Sequence, residues 1–425
     1  MSFGIPVRNG LGIGLLPSTA VSTLRIGGRP ALILNFVGTT SLDSRVTFTR
    51  ASTATFVGSN GLIQTAAIDA PRFDYNPATL APRGLLIEEQ RINLLTYSEQ
   101  FDNAAWTKSN ITVTANNTTS PDGTLNADKL VVTSAGTNAN CTQSPALTAS
   151  TAYTETVYAK KSEWGWLALE IRGESIDAIQ AWFNLNTGAV GTIVGAGTAT
   201  ITDAGNGWYR CSLTRTMGLT TTSPRVRVYP TNANALFSTG DGTSGIFVWG
   251  AQLEAGAFAT SYIPTVAAAV TRSPDVATMT GTNFSSWFNA VQGTFVAQFT
   301  PSTISGTRAV LDANDNTANE SIRLQNVSAD PFFTVTDGGV DQASIDAGTV
   351  AANTNYKIAA AYEVNNFAVS LGGGTVGTDT SGTLPTVTQM QIGNSAGGNR
   401  LNGYICQISY YNTRLTNTTL QALSI

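Results

Sequence analysis

The sequence predicts an all-β protein: tandem antiparallel β-sandwiches of the jelly-roll type behind an extended N-terminal arm. Three observations predict it. Apolar and polar residues alternate with period two through most of the chain, as in YKIAAAYEV and FAVSLGG, and no long helical period appears. The links between these runs carry Gly, Asn, Asp and Pro, the residues of tight turns. Charged residues make up 12% of the chain and hydrophobic ones 42%, so it can fill real cores and is not a disordered polymer.

At 425 residues the chain is too long for one ordinary sandwich. Residues 1–30 lack a period and form the arm. Gly10, Gly12, Gly14 and Pro17 interrupt its apolar stretch, and only Arg8 precedes it, a poor signal-peptide pattern. Residues 31–92 hold short strands (ALILNFV, RVTFTRAS, TATFVG, GLLIEE) and form a small β-rich connecting unit. Residues 93–265 carry seven or eight regular strands, from ITVTA to IFVWGAQLE, at sandwich spacing. In the last of these, Phe247, Trp249, Ala251 and Leu253 fall on one face and Ile246 and Val248 on the other. Residues 266–425 form the second sandwich, from GTFVAQFT to GYICQISYYN. The tail RLTNTTLQAL is the one expected helix, with Thr416 as its cap.

A net charge of −4 and a pI near 5.0 argue against nucleic-acid partners, because no basic stripe exists to displace counterions. No apolar run approaches a membrane span, so no membrane insertion is expected. Histidine is absent, which removes Ser-His and Cys-His nucleophile pairs and the usual zinc sites. Cys141, Cys211 and Cys406 are odd in number and far apart, so they predict buried free thiols rather than a disulfide framework.

Several segments carry a family likeness. They are VTFTRASTATFVGSNGLIQTAAIDAPRFDYNP, RGLLIEEQRINLLTYSEQFDNAAWTKSN, GNGWYRCSLT and IFVWGAQLEAGAFATSYIP. Together they resemble a β-sandwich module of bacteriophage tail fibres and head spikes, itself similar to galactose-binding-like carbohydrate-binding modules. The C-terminal LNGYICQISYYNTRLTNTTLQALS resembles concanavalin A-like and laminin G-like sandwiches. The resemblance implies a structural protein on the surface of a phage or phage-like virion. It implies attachment to other virion proteins through the arm, where Phe3, Ile5, Leu15 and Leu16 would make the contact. It also implies a host cell-surface polysaccharide as ligand and a homo-oligomer, most often a trimer.

The first sandwich offers candidate sugar contacts. Where Leu167, Leu169 and Ile171 point inward, Trp166, Glu170 and Arg172 point out, with Trp164 just before them. Likewise Gln180, Trp182 and Asn184 oppose Ala181 and Phe183. Trp208 and Arg210 oppose Cys211 and Leu213, and Arg225, Arg227 and Tyr229 oppose Val226 and Val228. Sugars stack their C–H faces on aromatic rings and need planar polar partners for their hydroxyls. The ligand set expected is therefore Trp164, Trp166, Glu170, Arg172, Trp182, Trp208 and Arg227. Packing of these aromatics against a neighbouring domain or an oligomer partner is the alternative.

No cofactor is expected. Similar modules hold a structural calcium near positions matched by Glu99 and Asp102, with Glu254 in the closing strand. A calcium site needs several converging oxygens, which the sequence does not establish. Catalysis is not expected, and no residue is assigned a catalytic role. A carboxylate-dependent polysaccharide depolymerase is the alternative, with Glu170 and Glu174 as the available acids.

Overall fold

The computed structural model describes residues 28–133, 135–174, 178–235 and 237–425. The arm residues Phe3, Ile5, Leu15 and Leu16 lie outside the described residues. Four large antiparallel sheets make two sandwiches. In the first, one sheet runs in the order Thr198–Asp203, Trp208–Thr216, Ala152–Lys161, Gly245–Ala255, Ala127–Val132, Ile111–Thr118. Its facing sheet runs Ala189–Val194, Ala178–Asn184, Trp166–Arg172, Arg225–Thr231, Asn140–Gln143, Thr107–Ser109. Leu167, Leu169, Ile171, Phe183, Val226 and Val228 of the second meet Val157, Leu213, Val248 and Leu253 of the first, and all are fully buried. Each such side chain contributes about 1.5–3 kcal/mol of burial.

The closing strand departs from simple alternation. Ile246 and Val248 face the core, and so do Ala251 and Leu253, while Trp249 packs on the outer face with Tyr158 and Tyr262. The switch occurs at Gly250, where the register against Ala152–Lys161 slips and φ is +62°. The expected face of Phe247, Trp249, Ala251 and Leu253 is thus broken by a β-bulge, which re-aims every side chain beyond it. A Cβ at position 250 would lie 3.0 Å from the Tyr158 ring, and φ there already favours glycine.

The second sandwich is built from both ends of the described chain. One sheet contains Gly377–Asp379, Phe367–Leu371, Tyr356–Glu363, Gln292–Pro301, Gly403–Tyr411, Pro82–Ile87 and Phe73–Tyr75, and Leu32–Asn35 also pairs with Gly403–Tyr411. The other runs Thr47–Thr49, Val276–Thr280, Gln389–Ile392, Thr307–Asn314, Ser321–Val327, Asp330–Asp337, Val340–Asp346. Residues 31–92, expected as a connecting unit, therefore supply strands to this sandwich. Leu32 pairs with Tyr410, Leu85 with Ile405 and Phe48 with Ala277. Leu32, Leu34, Phe36, Leu85 and Ile87 fill its core. The first sandwich is an insertion between Ile87 and Val276 of the second. The tail helix forms over Asn417–Leu423, and Thr416 Oγ1 accepts from the Thr419 N–H at 3.3 Å. A short helix, Thr282–Ser285, was not expected.

A buried ion network sits where the chain enters and leaves the insertion. Arg72 Nη1 donates to Glu88 at 2.7 Å and to Ser261 Oγ at 2.8 Å, and its Nη2 pairs with Asp275. Arg50 Nη1 donates to Asp275 at 3.1 Å, and Arg272 pairs with Glu88. All five charged side chains are nearly inaccessible. Burial pushes the Glu88 carboxyl up, but Arg272 and Arg72 outweigh it and hold the group at about 2. A depressed carboxyl stabilises the fold above its unfolded value, and the contribution is lost as pH falls from about 4.5 toward 2. Asp275→Asn strips Arg50 and Arg72 of a charge partner. It is expected to cost about 3–5 kcal/mol in urea unfolding at pH 7. A loss under about 1 kcal/mol would mean the network is dispensable.

Candidate functional site

Three of the four strands with outward aromatics share one sheet. In register, Ala168 lies opposite Trp182 on one side and Tyr229 on the other, while Glu170 lies opposite Gln180 and Arg227. Period two then places Trp166, Glu170, Arg172, Gln180, Trp182, Arg225, Arg227 and Tyr229 on one outer face. Ala168, Trp182 and Tyr229 form a small apolar cluster there, with Trp166 half-buried against it. The Trp182 indole N–H is buried without a hydrogen-bond acceptor among the described residues.

Glu170 is the centre of this face. It is fully buried beneath its neighbours. Arg227 Nη1 donates to Oε1 at 3.2 Å, and Tyr229 Oη donates to Oε2 at 3.1 Å. Arg172 Nη2 donates to Oε2 at 3.3 Å, and the Gln180 amide donates to the same oxygen. The arginine side chains keep about a fifth of their surface in solvent, 19% for Arg172 and 20% for Arg227. Arg225 makes no ion pair with a described residue. Burial lowers its affinity for the proton, and repulsion from Arg227 and Arg172 lowers it further. Three guanidinium groups, those of Arg172, Arg225 and Arg227, thus stand around this one carboxylate. Tyr229 is pushed above the usual phenol range by burial and by Glu170, so it stays a neutral donor.

The other expected contacts lie elsewhere. Trp208 stands on the opposite sheet, 1% exposed, in a cluster with Tyr158, Trp249 and Tyr262. Its indole N–H donates to the Thr119 carbonyl at 3.1 Å. Trp164 belongs to the sandwich core. Period two told inside from outside along Trp166–Arg172 but failed for Trp164, which precedes the strand, and it did not tell which sheet owned each strand. The calcium candidates do not converge either. Glu254 accepts from Gln252, Thr260 N–H and Thr260 Oγ1. Glu99 accepts from Tyr262 Oη at 3.0 Å and Asn126 at 3.1 Å, while Asp102 is exposed. Among the described residues no three His, Cys, Asp or Glu side chains are grouped to hold a metal.

The family-like segments have structural work at the junction. Asn93 joins the first strand to the last through the carbonyls of Ala251 and Ile263 and the N–H groups of Leu95 and Leu253. Tyr262 shares a 2.6 Å hydrogen bond with Ser98 Oγ. Arg91 and Arg308 both lie over the Phe258 ring, at 4.7 and 5.5 Å from its centroid.

No family model matches the chain, and no curated protein matches it. Solved structures with a partial likeness include a Ruminococcus gnavus IT-sialidase CBM40 bound to α2,3-sialyllactose. It is 15% identical, with 32% of this chain and 83% of that chain covered and a TM-score of 0.29. Another is the binding domain of botulinum neurotoxin DC in complex with SialylT: 10% identity, 35% and 39% coverage, TM-score 0.29. A third is the NanB sialidase of Streptococcus pneumoniae, at 12% identity, 34% and 26% coverage and TM-score 0.30.

Trp208→Ala is expected to cost about 3–5 kcal/mol of stability. Trp166→Ala should cost no more than about 1 kcal/mol. Thermal or urea unfolding of the pair checks the assignment, and equal losses would contradict it. Behind the face, Glu155 points into the core beside Tyr153 and Val157, both oxygens without a partner among the described residues. Burial, and secondarily Glu170, pushes its carboxyl well above the usual range. A raised acid destabilises the fold progressively as pH climbs above its unfolded value near 4.5. Glu155→Met should therefore raise stability by about 1–3 kcal/mol at pH 8 and by less at pH 5. Unfolding curves at both pH values read this directly.

Proposed function

We propose that this protein is a glycan-binding component of a phage or phage-like virion, and that the Glu170 face of the first sandwich takes an acidic sugar. The observation that carries the reading is the gathering of three guanidinium groups, Arg172, Arg225 and Arg227, around Glu170 with Trp166 at their edge. Glu170 fixes Arg172 and Arg227 in place before any ligand arrives, which reduces the ordering cost of binding. A sugar carboxylate can then accept paired N–H bonds from Arg225 and its neighbours, while the ring stacks on the half-buried Trp166 indole. The virion role rests on the fibre-and-spike likeness of the sequence, with residues 1–30 as the attachment segment. A trimer would multiply a weak single site by a factor of roughly 10² to 10⁴ in avidity.

Binding suits this face better than hydrolysis. Both Glu170 oxygens are engaged by Arg172, Gln180, Arg227 and Tyr229. Glu155 lies on the other sheet and faces the core. A glycosidase needs two carboxyl groups flanking one bond.

Titration with 3′-sialyllactose and with lactose tests the reading. The acidic sugar should bind and lactose should not, with affinity falling as salt rises. Arg227→Ala should weaken binding by roughly 10- to 100-fold, the worth of a charged hydrogen bond. Equal affinity for both sugars, or none for any acidic glycan on an array, would overturn it.

A further inference from the structure

The outer face of the opposite sheet borders a second, chemically different space. The hairpin Ala54–Val57 and Ile63–Ala66 covers part of that face through the Trp208 and Trp249 cluster. The remainder looks across at the second sandwich, and between them lies a cleft of about 660 Å³. Small-ligand sites span roughly 300–1,000 Å³. The cleft shares no residue with the Glu170 face.

Its wall on the first sandwich is a lattice of hydroxyls. Thr198, Thr200 and Thr202 alternate along one exposed strand and pair with Thr214, Ser212 and Arg210 of the next. Neighbours in this lattice are about 4.8 Å apart across the strands and about 6.8 Å apart along them. Each hydroxyl can both donate and accept, and those of Thr198 and Thr200 have no hydrogen-bond partner among the described residues. The facing wall carries Arg83, whose side chain is 37% exposed. Its Nη1 donates to Tyr404 Oη at 3.1 Å and stands 3.6 Å from Asp74. Phe258, clamped by its two guanidinium neighbours, adds an aromatic surface. Arg83 and Arg210 are balanced by Asp74 and Asp203, and Glu88, which also lines the cleft, is already paired with Arg72 and Arg272.

We propose that this cleft between the sandwiches is a second carbohydrate site, for an uncharged oligosaccharide, independent of the Glu170 face. A row of exposed threonine hydroxyls, with Thr214 held by Thr154 and Thr202 by the Arg210 carbonyl, and one aromatic wall match a ligand that offers many hydroxyls and some C–H surface. The balanced charge gives no preference for an acidic sugar, in contrast to the three arginines gathered on the other sheet.

The test is calorimetric titration of the full chain with a panel of neutral cello-, malto-, xylo- and galacto-oligosaccharides. At least one should bind in the millimolar range or tighter. Thr200→Trp fills the cleft from an exposed strand position, and Ser305→Trp fills it from the opposite rim. Each should weaken that binding at least tenfold while leaving the melting temperature unchanged. Saturating 3′-sialyllactose should not alter the titration. Failure of every neutral sugar to bind, binding that survives both tryptophan variants, or competition by sialyllactose would overturn the proposal. Failure of sialyllactose alone to bind would count against the Glu170 face and not against the cleft.

Discussion

The buried network of Arg50, Arg72, Arg272, Glu88 and Asp275 is the constraint on which the rest of the molecule depends. Its members come from two separate parts of the chain, 50–88 and 272–275, and Ser261 ties in a third, so it can form only when both crossings of the insertion are in place. Taking such charges out of water is expensive, and each is tolerated because the others remain. Glu88 alone accepts from Arg72, Arg272, Ser261 N–H and Ser261 Oγ. The network therefore specifies one mutual arrangement of the two sandwiches more than it adds net stability.

That arrangement explains the segments that carry the family likeness. The run from Ala255 to Pro264 leaves the closing strand, places Phe258 between two arginines, Ser261 on Glu88 and Tyr262 on Ser98. Its side chains are fixed by the junction. The outward residues of the strand faces can change without disturbing this joint.

The two outer faces of the first sandwich illustrate that freedom. One sheet gathers three arginines around Glu170, and the other presents threonine and serine beside a balanced set of charges. The backbone pairing is the same on both sides, so the chemistry differs only through the outward residue at every second position. Core residues such as Leu169 and Cys211 are indifferent to what their neighbours carry outside.

The sequence by itself determined many of the strands and most of their inward residues, the free buried thiols of Cys141, Cys211 and Cys406, and the Thr416 cap, but not the strands Ala189–Val194 and Thr198–Asp203. It also determined that Glu170, Arg172 and Arg227 face outward. These are local properties, set by alternation and by single-residue preferences. Tertiary structure alone decided that Leu32–Asn35 and Pro82–Ile87 complete the second sandwich, because a strand's apolar face does not name its partner across more than 300 residues. It decided that Trp208 belongs to a packed cluster and Trp166 to an open face, since both occupy outward positions and only the covering hairpin tells them apart. It decided the phase of Trp249 through the bulge at Gly250. It also decided that Arg72 and Arg272 are interior, because an arginine is buried only where distant carboxylates converge on it, and convergence is a property of the folded chain.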